Sequence, residues 1–139
     1  MGTAMLASPE RLFQTQEERA SFEQARRPVA LFREISRRYK LRRADWGALL
    51  AYLLRHRDVI AVLLDAPERI RTIFGQAELF LDFLSDPESE GWEELLIVVR
   101  TRLPVDQALG RLRQLDATWF TEASRPTHFA VGVTVEPDV

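Results

Sequence analysis

There is no cysteine among the 139 residues. That excludes disulfide bonds, thiol chemistry and cysteine-held zinc. Histidine occurs only twice, as His56 and His128. Neither has a partner at the spacing of a zinc-binding helix, so no metal site is expected. The six glycines are scattered, with neither G-x-G-x-x-G nor G-x-x-x-x-G-K-[ST], which removes the common nucleotide-cradling loops. A G-x-S-x-G nucleophile elbow is missing too. No uninterrupted apolar run approaches the roughly 20 residues of a membrane span. Met1 to Pro9 lacks the basic flank and apolar core of a signal peptide. The expectation is a cytoplasmic protein with no catalytic residue, no cofactor and no metal ligand, and not an enzyme.

Enough apolar material is present to build a core. Hydrophobic residues make up 46% of the chain, with three Trp and eight Phe, so global disorder is rejected. The length fits one domain, with or without a helical extension.

The net charge of −2 hides an asymmetry. Up to Phe74 there are 14 Arg and Lys against 9 Asp and Glu, and from Gly75 onward 5 against 12. Lysine appears once, as Lys40, so the positive charge is almost all arginine, which favours planar bidentate ion pairs.

Residues 1–9 read as a disordered lead. Ser8 and Pro9 then suit a helix start, and a thin apolar face gives a peripheral helix ending near Arg27. Pro28 opens a second helix with Leu31, Phe32, Ile35 and Tyr39 as its stripe. After a break at Lys40 to Arg43, Trp46, Leu49, Leu50, Leu53 and Leu54 mark a third helix, with Asp45 at its start. Asp58 restarts a short helix that Pro67 breaks, and one or two further turns close at Gly75. The region 10–75 is therefore a cluster of short helices.

From Ala77 the period changes to two. Leu79, Leu81 and Phe83 alternate with Phe80, Asp82 and Leu84, which is strand spacing. An acidic loop of turn formers, Ser85 to Gly91, follows, and Leu95 to Val99 form a β-branched second strand. Pro104 opens a helix with apolar positions at Val105, Ala108, Leu109, Leu112, Leu115 and Trp119. Gly110 in its middle suggests either close packing against a strand or a glycine that the helix merely tolerates. Phe129, Val131, Val133 and Val135 then alternate as a last strand, which His128 enters. The reading is α+β: an N-terminal short-helix cluster packed with a C-terminal three-stranded β-β-α-β unit over 77–139, sharing one core.

Eight basic residues fall between Arg26 and Arg43, opposed only by Glu34. Arg33, Arg37, Arg38, Arg42 and Arg43 are the candidate interaction surface. Their partner is expected to be a protein, either an acidic one or the acidic half of this same chain, in cis or in a homo-oligomer. The alternative is nucleic acid: segment 26–54 has the outline of a helix-turn-helix. Against it, Ala44 to Leu54 has almost no polar side chain to aim at base edges. The carboxylates Asp82, Asp86, Glu88, Glu90, Glu93 and Glu94 do not follow a calcium-loop spacing and read as a solvated hairpin end. Asp116 falls on the apolar stripe of its helix, where a buried acid needs a partner. Asp116, Trp119 and His128 are the polar positions from which any catalytic site would have to be drawn.

From Leu63 onward several segments carry a resemblance. They are Leu64-Asp65-Ala66-Pro67-Glu68-Arg69-Ile70, Asp86-Pro87-Glu88, Val105-Asp106-Gln107-Ala108-Leu109 and Leu115-Asp116-Ala117-Thr118-Trp119-Phe120. Over about half the chain the sequence resembles a functionally uncharacterised family of small bacterial proteins. That resemblance implies the same helices-then-sheet order and no particular activity. The functional expectation is a non-catalytic interaction or regulatory module that self-associates through a sheet face or edge and its charged halves.

Overall fold

Alternating apolar residues along Glu78–Ser85 (β2) and Glu93–Thr101 (β3) form an antiparallel hairpin at the centre of a four-stranded sheet. The structure is a computed structural model that describes residues 29–86, 88 and 92–138. The peripheral helix expected before Pro28, with Arg26 and Arg27, lies outside the described residues. The chain divides into two units, Met1–Leu31 and Phe32–Val139. Of the first, only residues 29–31 are described, and they are helical. The second unit holds the whole sheet.

The second unit starts in helix α1 (residues 32–38) and passes directly into a strand, β1 (Lys40–Arg42). Helices α2 (Trp46–Arg55) and α3 (Arg57–Phe74) then lead to β2. After β3, helix α4 (Val105–Leu115) runs on through a π-helical stretch (Asp116–Phe120), a further α-turn (Thr121–Ser124) and a 3₁₀ turn (Arg125–Thr127). Strand β4 (Gly132–Pro137) ends the sheet. Sheet order follows chain order, β1-β2-β3-β4, with β1 parallel to β2 and β4 parallel to β3. Both parallel pairs need a crossover, and the helices supply it. The fold is α+β. No helix among the described residues is long and apolar enough to cross a membrane.

Register assigns each side chain to a face. Leu81 pairs with Leu41 on one side and Ile97 on the other, and Ile97 pairs with Val133. Leu79, Phe83, Leu95, Val99 and Val135 share that face. It carries the helices: the Tyr52 ring of α2 lies 5.0 Å from that of Phe83, and α4 packs on β4 and α3. Leu81, Ile97, Val99, Leu49, Val59, Leu63 and Leu115 are fully buried there.

Four expectations are corrected. The sheet has four strands, not three, because Lys40-Leu41-Arg42, read as a break between helices, pairs with Phe80-Leu81-Asp82. The segment before α2 is thus a sheet strand and not the turn of a helix-turn-helix.

Second, Pro67 does not break its helix. α3 runs unbroken for 18 residues with Pro67 inside. Proline has no N–H to give the carbonyl four residues back, which is that of Leu63. The Tyr39 hydroxyl takes the vacant place, donating to Leu63 O at 2.6 Å in a buried site. Burial also pushes the Tyr39 phenol far above its ordinary pKa, so it stays a donor.

Third, β4 begins at Gly132, not at His128. At Gly132 the strand approaches β3 so closely that a Cβ would stand 2.9 Å from Leu96 Cδ2.

Fourth, Gly110 does not pack against a strand. It is exposed, with nothing within 4 Å of where a Cβ would sit. Gly110→Ala should therefore stabilise the protein by about 0.5–1 kcal/mol through helix propensity alone. A urea titration at unchanged slope checks it, and a destabilised variant would refute the open environment.

Candidate functional site

The basic segment does not present one surface. Arg33, Arg37 and Arg38 project from α1 into solvent. Arg37 and Arg38 lean on Glu34 at 3.2 and 3.7 Å. Arg43 is exposed with φ at 67°, in the turn that ends β1. Arg42 instead lies across the sheet face opposite the helices. Its guanidinium donates to both Asp82 oxygens at 2.9 and 3.1 Å and to both Glu136 oxygens at 2.9 Å. Glu136 also accepts from Arg100 at 3.0 Å. Both guanidiniums sit 4.5 Å from the centre of the Phe80 ring, a favourable cation–π distance. The network joins all four strands: Arg42 from β1, Asp82 and Phe80 from β2, Arg100 from β3 and Glu136 from β4. Hydrogen bonds from Arg42 and then Arg100 hold the Glu136 carboxyl below the usual range, and its partners push Arg42 further up.

Further pairs have the same sense. Lys40 meets Glu78 at 2.7 Å and Arg55 meets Glu93 at 3.0 Å. The basic half of the chain thus finds part of the acidic half in cis.

Asp116, Trp119 and His128 are not brought to one cavity among those described. Trp119 is buried, and its indole N–H donates to Asp65 of α3 at 2.9 Å. Asp116 begins the π-helical stretch, and partial burial raises its carboxyl pKa. A small cavity of about 280 Å³ lies between α3 and the Trp119 segment, lined by Asp58, Asp65, Trp119 and Pro126 among others, and neither Asp116 nor His128 borders it. His128 is exposed and left-handed, at φ 54° and ψ 45°. The acidic cluster is likewise dispersed: Asp82 and Glu93 are ion-paired, while Asp86 accepts the Glu88 N–H at 2.9 Å.

What the sequence did not disclose is the turn just before β4. Phe129 follows His128 in the left-handed region, at φ 65°. Left-handed backbone costs an L-residue roughly 1–2 kcal/mol, more readily borne by histidine than by phenylalanine. Four hydrogen bonds hold the turn in place. Thr127, itself buried, donates its hydroxyl to Ser124 O at 2.6 Å. The N–H groups of His128 and Ala130 reach Arg125 O and Thr127 O, both at 3.2 Å. The Tyr52 hydroxyl of α2 donates to Ala130 O at 2.6 Å. Tyr52 is in turn wedged between Phe83 and His56, with ring centres 5.0 and 4.4 Å away.

The turn presents Phe129 to solvent at 97% exposure, the most exposed large apolar side chain described. Trp92, 48% exposed, precedes β3. Because Gly132 pairs with Leu96 in parallel, the Phe129 turn and Trp92 lie at the same end of the sheet. Exposed Asp86, Glu88 and Glu94 are there too. Pro126 and His128 were the available signals: proline ends the helix ladder, and histidine tolerates left-handed backbone. The alternation of Phe129 with Val131 overrode them.

No protein-family model, curated protein or solved structure matches this chain.

Proposed function

We propose that the protein is a non-catalytic interaction module that docks another protein chain through the aromatic turn at Phe129. The observation that carries this reading is a phenylalanine held almost wholly in water by a strained, four-fold hydrogen-bonded turn. Burial of a phenylalanine side chain is worth about 1.5–3 kcal/mol, and this one gains none of it within its own chain. The hydrogen bonds that fix the backbone of the turn also lower the ordering cost that a loose loop would incur on binding. Aromatic residues, phenylalanine among them, are enriched in protein interfaces, within a polar rim. The arginines of α1 are a weaker candidate, since Glu34 already accompanies two of them.

The test uses the full chain in its native host, with Phe129 replaced by a benzophenone-bearing amino acid. Irradiation should join it to another protein chain in a discrete adduct. The same group at exposed Arg113 should give none. An adduct-free Phe129 position would sink the reading.

A further inference from the structure

The sheet ends in two unlike edges. β1 is three residues long and carries Lys40, both of which discourage pairing with a further strand. β4 is six residues long, with Val133, Thr134 and Val135 at its centre. Its one charge, Glu136, is folded onto Arg42 and Arg100 across the sheet face. Asp138 N–H donates to Thr101 O at 3.0 Å, and Thr101 is in register with Pro137. Even-numbered residues of β4 therefore turn their peptide groups to β3, and Val133 and Val135 turn theirs outward. β4 is the last strand of the sheet, and no described residue pairs with those outward groups.

A helix flank continues this edge. α4 packs over β4, with α3 against its inner flank, where Trp119 just beyond the helix reaches Asp65. Val105 and Leu109 are exposed and Leu112 is half-buried, so their stripe lies on the other flank, beside the β4 edge. At about 100° per residue the three stand roughly 40–100° to one side of buried Ala108, while Arg113, about 140° round, is on the solvent crown. The heights agree as well. Residues 102–104 join the Thr101–Pro137 end of the sheet to Val105. Thr134 is about 10 Å back along β4 from Pro137, at roughly 3.3 Å per residue. Leu112 is about 10 Å along α4 from Val105, at roughly 1.5 Å per residue.

We infer that β4 of one copy pairs antiparallel with β4 of a second copy about a two-fold axis at Thr134, joining the two sheets edge to edge. Two features select a second copy over an unrelated strand. The pairing is self-complementary: the N–H and C=O of Val133 meet those of the partner's Val135, and the reverse, so every outward group between Gly132 and Glu136 is satisfied. Gly132 faces the partner's Glu136, which its own chain already neutralises, so no like charges oppose each other. Pro137, with no N–H to give, falls outside the paired stretch. Secondly, a bare strand would leave Val105, Leu109 and Leu112 in water. A second copy brings its own α4 over its own β4 at the same height, so one axis pairs the strands and covers both stripes. This inference goes beyond docking at Phe129 and does not depend on it. Because the paired strands run in opposite directions, the two Phe129 turns sit at opposite ends of the joined sheet.

Thr134→Cys reads the axis directly, because the chain has no cysteine of its own. Facing residues of a non-hydrogen-bonded antiparallel pair have Cα atoms about 4.5 Å apart, within the span of a disulfide. Mild oxidation of the full-length T134C chain should give a disulfide-linked dimer, and Lys40→Cys, at the other edge, should not. Under reducing conditions the wild type should be a dimer by light scattering and sedimentation. Thr134→Arg and Thr134→Glu should each weaken association more than about tenfold, because like charges then face each other. An equal mixture of the two should recover dimers with one chain of each, which also shows that both variants are folded. Phe129→Ser should dimerise as the wild type does.

A wild type that is monomeric at every concentration overturns the inference. So does a dimer in which T134C links no faster than Lys40→Cys, or in which Thr134→Arg associates unchanged. Loss of the dimer in Phe129→Ser overturns it too, since the ring and not the strand edge would then hold the copies together. A failed photo-adduct at Phe129 beside a successful T134C link sinks docking alone.

Discussion

Arg42→Met should destabilise the protein by about 3 kcal/mol, the lower end of what breaking a buried ion pair costs. The side chain of Asp82 is only 8% exposed and that of Arg42 27%, so removing the guanidinium leaves a carboxylate with little water to replace it. Glu136 loses a bidentate partner in the same step. Arg42→Met combined with Asp82→Leu should recover much of the loss, since the uncompensated charge is then gone. Urea denaturation of the two single variants and the double one reads this directly. A single-variant loss below about 0.5 kcal/mol, the range of an exposed pair, would show that the network is ornamental to stability.

The pH dependence follows with a definite sign. Glu136 has a carboxyl pKa lowered on folding by Arg42 and Arg100. Its contribution is therefore complete above the unfolded glutamate value, about 4.3. It is lost as pH falls through the lower folded value. Arg42→Met should flatten the acid limb of the stability curve as well as lower its plateau. β1 is only three residues long, so its amides should also exchange faster in the variant, with Leu41 the residue to watch.

Tyr39→Phe tests a different device. The phenol supplies to Leu63 the hydrogen bond that Pro67 withholds. Removing it strands a buried carbonyl, at a cost of roughly 1–3 kcal/mol. Pro67→Ala restores an N–H at the ordinary helical position, four residues after Leu63. Tyr39→Phe should then cost much less in the Pro67→Ala background than in the wild type. The coupling in this double-mutant cycle is expected at about 1 kcal/mol or more. Additivity of the two changes within about 0.5 kcal/mol would mean that the hydroxyl and the proline act independently.

That pairing also explains what the sequence could and could not disclose. The hairpin of β2 and β3 is legible because alternation and β-branching are local, and both strands lie where the pattern places them. α2 is legible for the same reason, down to its cap, where Asp45 accepts the Ala48 N–H at 2.7 Å. α3 is misjudged when proline is weighed by its local effect alone, because its compensation comes from Tyr39, whose hydroxyl reaches Leu63, twenty-four residues away in sequence. β1 is missed because Lys40-Leu41-Arg42 is too short for any period to show. Its evidence is tertiary, in the reach of Arg42 to Asp82 and Glu136.

The stripe on α4 is buried only in part. Ala108, Leu115 and Trp119 are covered, yet Val105 is 65% and Leu109 41% exposed. At about 100° per residue Leu109 sits well round from Ala108, while Val105, nearer that face, is the first residue of the helix. The π-helical stretch then takes extra residues per turn, a phase change that no regular spacing predicts. The aromatic turn is hidden by coincidence: two left-handed residues place Phe129 where a strand residue would have kept the alternation.

Sheet order that copies chain order has one more implication, for how the chain finds its shape. Each strand's neighbour in space is also its neighbour in sequence, so no segment has to thread past another. Seven residues separate β2 from β3, and closing so short a loop costs little chain entropy. From that seed one strand can be laid down on either flank, each brought round by its own helical link.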